Sequence, residues 1–177
     1  MCYSIYLSTT SQEDLSLLAS DQFTFIPIAD PAEPEESWKK WAADPLFISD
    51  TTESSDDPEI LALLDHQQKW YLQSKYGGCS CHFRHAMGSF SPTTKEEYPP
   101  EFMAPADWYH EDQEDIESTL AVCGTISKLL ADGFSVDMVN QWNGIGPDEI
   151  QTLEVSLQNV PNDHFRFFEN YKFTLSI

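Results

Sequence analysis

Apolar residues recur at every second position in short blocks along most of this chain, and at helical spacing in only one long stretch. Side chains alternate faces in a strand and repeat every 3.6 residues in a helix, so this pattern predicts an α+β sheet protein with helices covering one face of the sheet. Tyr3, Ile5 and Leu7 share one face of a first strand. Ser8 to Ser11 then offers helix-capping side chains ahead of a short helix through Leu15, Leu17 and Leu18. Gln22 to Ile28 reads as a second strand, held to an edge by Pro27. A strand, helix and strand in so few residues predict parallel neighbours joined by a right-handed crossover.

Further along, Glu59 to Gln68 reads as a helix using Ile60, Leu63 and Leu64. Trp70 to Leu72 and Cys79 to His85 flank Tyr76-Gly77-Gly78 as the arms of a β-hairpin. The best-marked helix runs from about Gln113 to Asp132. Ile116, Leu120, Cys123, Ile126 or Ser127, and Leu130 form its stripe, acids crowd its amino end, Lys128 lies near the other end, and Gly133 stops it. Strands follow at Phe134 to Val139, Thr152 to Leu157 and Phe165 to Leu175. If the last is regular, Glu169 falls on a face otherwise made of Phe165, Phe167, Tyr171, Phe173 and Leu175, where a carboxylate needs a partner or a bulge that turns it outward. These elements predict one α+β domain over residues 1–177. Its single mixed or antiparallel sheet carries two main helices on one face, and acidic, proline-containing loops make surface excursions at about 30–59 and 96–112. Within the first excursion, Trp38 and Trp41 share a face of a short helix over 35–43 that anchors the loop.

Charge narrows the partners. Thirty acids against nine Lys and Arg leave a formal charge of −21, which repels nucleic-acid phosphates and anionic lipid surfaces and suits, if anything, a basic protein partner. No run of about 18 apolar residues occurs and the first residues lack a basic, then apolar, leader pattern, so a soluble cytoplasmic protein is expected. Cys2, Cys79, Cys81 and Cys123 are spaced too irregularly for a disulfide framework and are expected to be reduced.

Against that acidity, His66 to Lys95 contains no Asp or Glu, yet it holds His66, His82, His85, Cys79 and Cys81. If the hairpin is regular, Cys79, Cys81, Phe83 and His85 lie on one side and Ser80, His82 and Arg84 on the other. Strand neighbours two apart are separated by roughly 7 Å, too far for an unstrained bridge between the cysteines. Cys79, Cys81 and His85 are therefore candidates for a thiol site or for ligands to zinc or another transition metal, with Cys2 or His66 completing a tetrahedral set. Without metal, nearby Lys75 and Arg84 favour thiolate at Cys79 or Cys81. Arg84 has two readings: a structural ion pair with Glu169, or an anion pocket shared with His82. The glycines near Gly144 match no phosphate-binding loop, and no nucleophile-elbow motif occurs. Two functions follow: a protein with a small thiol, metal or anion site on the Trp70 to His85 segment, or a non-enzymatic acidic protein that docks on a basic partner.

Overall fold

A computed structural model describes residues 3–28, 57–86, 112–142, 144–159 and 165–177. The expected helix over 35–43, Cys2, and most of both acidic excursions lie outside these residues. The strands are β1 (Tyr3–Thr9), β2 (Phe23–Pro27), β3 (Gln68–Ser74), β4 (His85–Ala86), β5 (Val136–Trp142), β6 (Gln151–Ser156), β7 (Phe167–Phe168) and β8 (Tyr171–Ser176). Six form one mixed sheet in the order β2-β3-β1-β5-β8-β6, parallel only at β6/β8; β4 and β7 make a separate two-residue parallel bridge.

β1 and β2 run the same way, as the sequence predicts, but they are not neighbours: β3 lies between them, antiparallel to both. The segment expected as a helix between β1 and β2 is a single 3-10 turn, Leu15–Leu18, capped by the Asp14 carboxylate. The expected helix over 59–68 is likewise one turn, α1 (Pro58–Leu61), capped by Asp57. Among the described residues only α2 (Gln113–Ala131) is a long helix, and the two helices cover opposite faces of the sheet.

α2 ends as its sequence predicts. Gly133 adopts φ +89, its amide reaches Leu130 O at 3.0 Å, and the Phe134 amide reaches Leu129 O at 3.0 Å, which closes the last turn. Its buried stripe, however, is turned from the expected one. Ser118, Thr119, Val122, Ile126 and Leu129 are buried, while Ile116, Leu120, Cys123 and Leu130 are partly covered. Thr119 faces inward because the Arg84 amide donates to its hydroxyl at 2.8 Å.

Val122, Ile126 and Leu129 pack with Ile5, Leu7, Phe25, Leu72, Met138 and Phe173 in the main core. Burial of each large side chain there contributes about 1.5–3 kcal/mol. The last strand is not continuous. A turn at Glu169-Asn170 divides it, with Asn170 at φ 62, a conformation Asn tolerates better than most residues. Glu169 thus lies on a turn rather than on the aromatic face.

The opposite face is smaller and more polar. Tyr6 and Val139 meet Ile60 and Leu64, and beside them Asp137, 1% exposed, collects several partners. Ser8 donates its hydroxyl to one carboxylate oxygen, the Asp65 amide donates to the other at 3.0 Å, and Lys172 Nζ lies 3.6 Å away. Lys172 also pairs with Asp65 at 2.6 Å. Removing one member of a buried pair leaves the other charge uncompensated. Asp137→Ala should therefore lower stability in urea unfolding by about 2–4 kcal/mol, and Lys172→Met in the same chain should recover part of it. An unchanged midpoint for Asp137→Ala would show that the cluster holds nothing together.

Candidate thiol site

After β3 the chain does not return as a hairpin arm. β3 is already paired on both edges, with β1 and β2, so no edge is open to receive Cys79 to His85. The backbone instead turns at Lys75 to Cys79 and coils into a 3-10 turn, Ser80–His82, before β4 pairs with β7. Gly78, at φ +69, provides the left-handed step, and the Ser74 amide closes the turn on Cys79 O at 3.1 Å. Ser80 is wholly buried and explains the coil. Its hydroxyl accepts the Ile5 amide at 3.1 Å and donates to Leu72 O at 2.5 Å, standing in for a missing ladder rung between β1 and β3.

The coil changes the relation between the two thiols. Cys79 caps the turn, its sulfur accepting the Cys81 amide at 3.3 Å, and the Cys81 sulfur accepts the Tyr3 amide at 3.3 Å. Both residues are half-buried and unbridged. With a helical residue between them, they lie closer together along the chain than strand spacing would place them. The thiols are free as expected, but strand spacing is not the reason. The Cys79 thiol is held down to about 6, first by a hydrogen bond from the Cys81 thiol, which outweighs burial, with help from the Cys81 amide and His82.

The remaining candidates part company. His85 is buried, its Nε2 bonded to Ser80 O at 2.9 Å and its Nδ1 facing Asn140 Nδ2 at 3.3 Å. The Tyr3 ring stacks on it at 3.8 Å. With both nitrogens engaged, His85 is a structural residue, and the expected metal set of Cys79, Cys81 and His85 is not assembled. Among the described residues no three His, Cys, Asp or Glu converge to hold a metal ion. His66 lies on the far face, 3.8 Å from Asp137.

His82 points outward, its Nδ1 3.5 Å from Asp115 Oδ1 on the first turn of α2. Arg84 is buried and joined through its backbone to Thr119 and to Phe167, whose amide reaches Arg84 O at 2.9 Å. Its charge offsets in part the burial that pushes the Cys123 thiol up. Glu169 accepts from Tyr3 OH at 3.4 Å.

Sequence reasoning passed over Tyr3, Asp115, Thr119, Asn140 and Asp137. Asp137 alone carried a local signal: an acid flanked by apolar residues within a strand needs a buried partner, the argument applied to Glu169. Comparison of the chain with protein-family models, with curated proteins and with solved structures found no match. Among the described residues no helix is long and apolar enough to cross a membrane.

Burial lowers His85 from 6.5 to about 4, so it stays neutral in the fold and gains a proton when the chain unfolds. Its contribution is therefore complete above pH 6.5 and declines as the pH falls towards 4, by about 3 kcal/mol in all. Urea unfolding between pH 7 and 5 should show a loss in the wild type that is markedly smaller in His85→Gln. Equal losses in the two proteins would mean that His85 is not the group taking up the proton.

Proposed function

We propose that this protein acts through Cys79 and Cys81 as a dithiol that reduces a disulfide-bearing co-substrate. The observation that carries the reading is the pair of backbone amides, each aimed at one sulfur from 3.3 Å, on a half-buried turn. Such donors favour the thiolate, the form that attacks. Cys79 attacks one sulfur of the co-substrate, the substrate S–S bond breaks, and the first substrate thiol departs. Cys81 then attacks the Cys79 sulfur, displaces the second substrate thiol and closes a Cys79–Cys81 disulfide. Two electrons pass from the protein dithiol to the substrate. Reduced cysteines fit the cytoplasmic setting expected from the sequence.

Iodoacetamide labelling followed by mass spectrometry should find Cys79 half-reactive at about pH 6 and Cys123 unreactive in the folded protein. Cys81→Ala should move the Cys79 midpoint upward, because the Cys81 thiol is the main group holding it down. Glutathione disulfide should convert the wild type to a form lighter by one hydrogen pair and leave Cys81→Ala as the mixed disulfide. A Cys79 no more reactive at pH 6 than free cysteine, or a wild type that never closes the internal bridge, would overturn the reading.

A further inference from the structure

β1 is paired unequally along its two edges. On the β5 side the register runs from Thr9 opposite Val136 to Tyr3 opposite Trp142, whereas on the β3 side it stops at Ile5 opposite Leu72. Tyr3 and Ile5 are two apart, so their amides leave β1 by the same edge, the one towards β3. The coil from Cys79 to His85 answers both with side chains. The Ser80 hydroxyl accepts the Ile5 amide at 3.1 Å, and the Cys81 sulfur accepts the Tyr3 amide at 3.3 Å. Of these two acceptors, one is inert to redox chemistry and the other belongs to the dithiol.

Tyr3 makes further contacts that depend on where its backbone is held. Its ring stacks on His85 at 3.8 Å, 11° from parallel, and meets the Trp142 ring edge-on at 4.6 Å. Its hydroxyl donates to Glu169 Oε2 at 3.4 Å, on the turn between β7 and β8. One residue thus joins the dithiol to the end of β5, to the histidine of β4 and to the turn that divides the last strand.

We propose that Cys79 and Cys81 form a redox switch on the amino end of β1, in which closing their bridge takes the Cys81 sulfur from the Tyr3 amide and releases Tyr3 from His85 and Glu169. This rests on the dithiol reading above and adds regulation to the same site. The exchange is with a disulfide co-substrate. Its S–S bond breaks, a bond forms between the Cys79 and Cys81 sulfurs, and two electrons with the two thiol protons pass to the product thiols. In the reduced fold each sulfur is directed at an amide, Cys79 at that of Cys81 and Cys81 at that of Tyr3. A disulfide imposes its own geometry on both sulfurs, so they turn from those amides to bond each other. Uncharged sulfur is also the weaker acceptor. The Tyr3 amide then loses its answer on that edge, while the Ile5 amide keeps Ser80. An amide left unanswered inside a protein is costly, and exposure to water relieves it by lifting Tyr3 from the sheet.

Amide hydrogen exchange in the full chain, followed residue by residue by NMR in dithiothreitol and after glutathione disulfide, tests the switch, with mass spectrometry reporting bridge closure. Closing the bridge should speed exchange at Tyr3 roughly fivefold or more, the size expected for one lost hydrogen bond, and leave Ile5 unchanged. The His85 ring protons should shift as the Tyr3 ring leaves them. Cys81→Ser, which keeps an acceptor for Tyr3 and cannot form the bridge, should hold the reduced rate at Tyr3 under both conditions. A bridged wild type in which Tyr3 exchanges as in the reduced protein would overturn the switch and leave the dithiol standing. Tyr3 and Ile5 accelerating together would also overturn it, since the whole coil would have opened, as would the same acceleration in Cys81→Ser. A wild type that never closes the bridge would overturn the dithiol itself.

Discussion

Irregular backbone can run through a protein interior only where each amide and carbonyl is answered, and here side chains answer where the stretch from Cys79 to His85 meets the strands it packs against. Ser80 takes the Ile5 amide and gives to Leu72 O. Thr119 takes the Arg84 amide. Asn140 spreads its carboxamide over Phe168 O at 2.9 Å and Phe167 O at 3.3 Å while meeting His85. These three small polar side chains come from the turn, from α2 and from β5. They do the work that strand pairing would have done, and they leave the chain free to bring two thiols onto one turn. A neutral His85 belongs to the same accounting: only the uncharged ring can donate to Ser80 O at one nitrogen and accept from Asn140 at the other.

A thiolate is a poor fit for a molecule with a formal charge of −21. Screening confines that charge to about 8–10 Å at ordinary ionic strength, so what matters is which groups lie within that radius. The absence of acids from the segment that carries Cys79 keeps the nearest repulsion away, and amide and thiol donors then decide the matter at contact distance. Among the described residues, Asp115 faces the His82 imidazole of that turn at 3.5 Å.

How far the sequence discloses this structure depends on whether local pattern or tertiary demand sets the conformation. β1 and α2 are legible because their periodicity and end signals agree with the fold: Tyr3, Ile5 and Leu7 do share a face, and Gly133 does end the helix. The segment from Cys79 to His85 has strand-like alternation and a Gly-Gly turn before it, and it still coils. What it would have paired with was already paired on both edges, which no local window reveals. The last strand conceals its break in the same way, since the aromatic alternation continues through Glu169-Asn170, and only an Asn tolerant of positive φ hints at the turn. At the site, sequence supplies the residue types and the acid-free setting. It could not supply the partnership of His82 with Asp115, which lie more than thirty positions apart and meet only because α2 turns Asp115 and Thr119 inward.

Cys79 and Cys123 show what that placement achieves, because they are the same chemical group under opposite conditions. Cys123 sits on α2 against the core, where burial outweighs the nearby Arg84 charge and the thiol stays protonated. Cys79 is also partly buried, yet its thiol is driven the other way by hydrogen bonds made to the sulfur itself. A formal positive charge close to a buried thiol is therefore a weaker influence in this molecule than hydrogen-bond donors in contact with a half-exposed one. The acid-free segment matters for what it lets approach the sulfur, not for the net field it produces. The direction of the Cys79 shift follows the donors at its sulfur, and the Cys81 amide is one of them because the chain coils there.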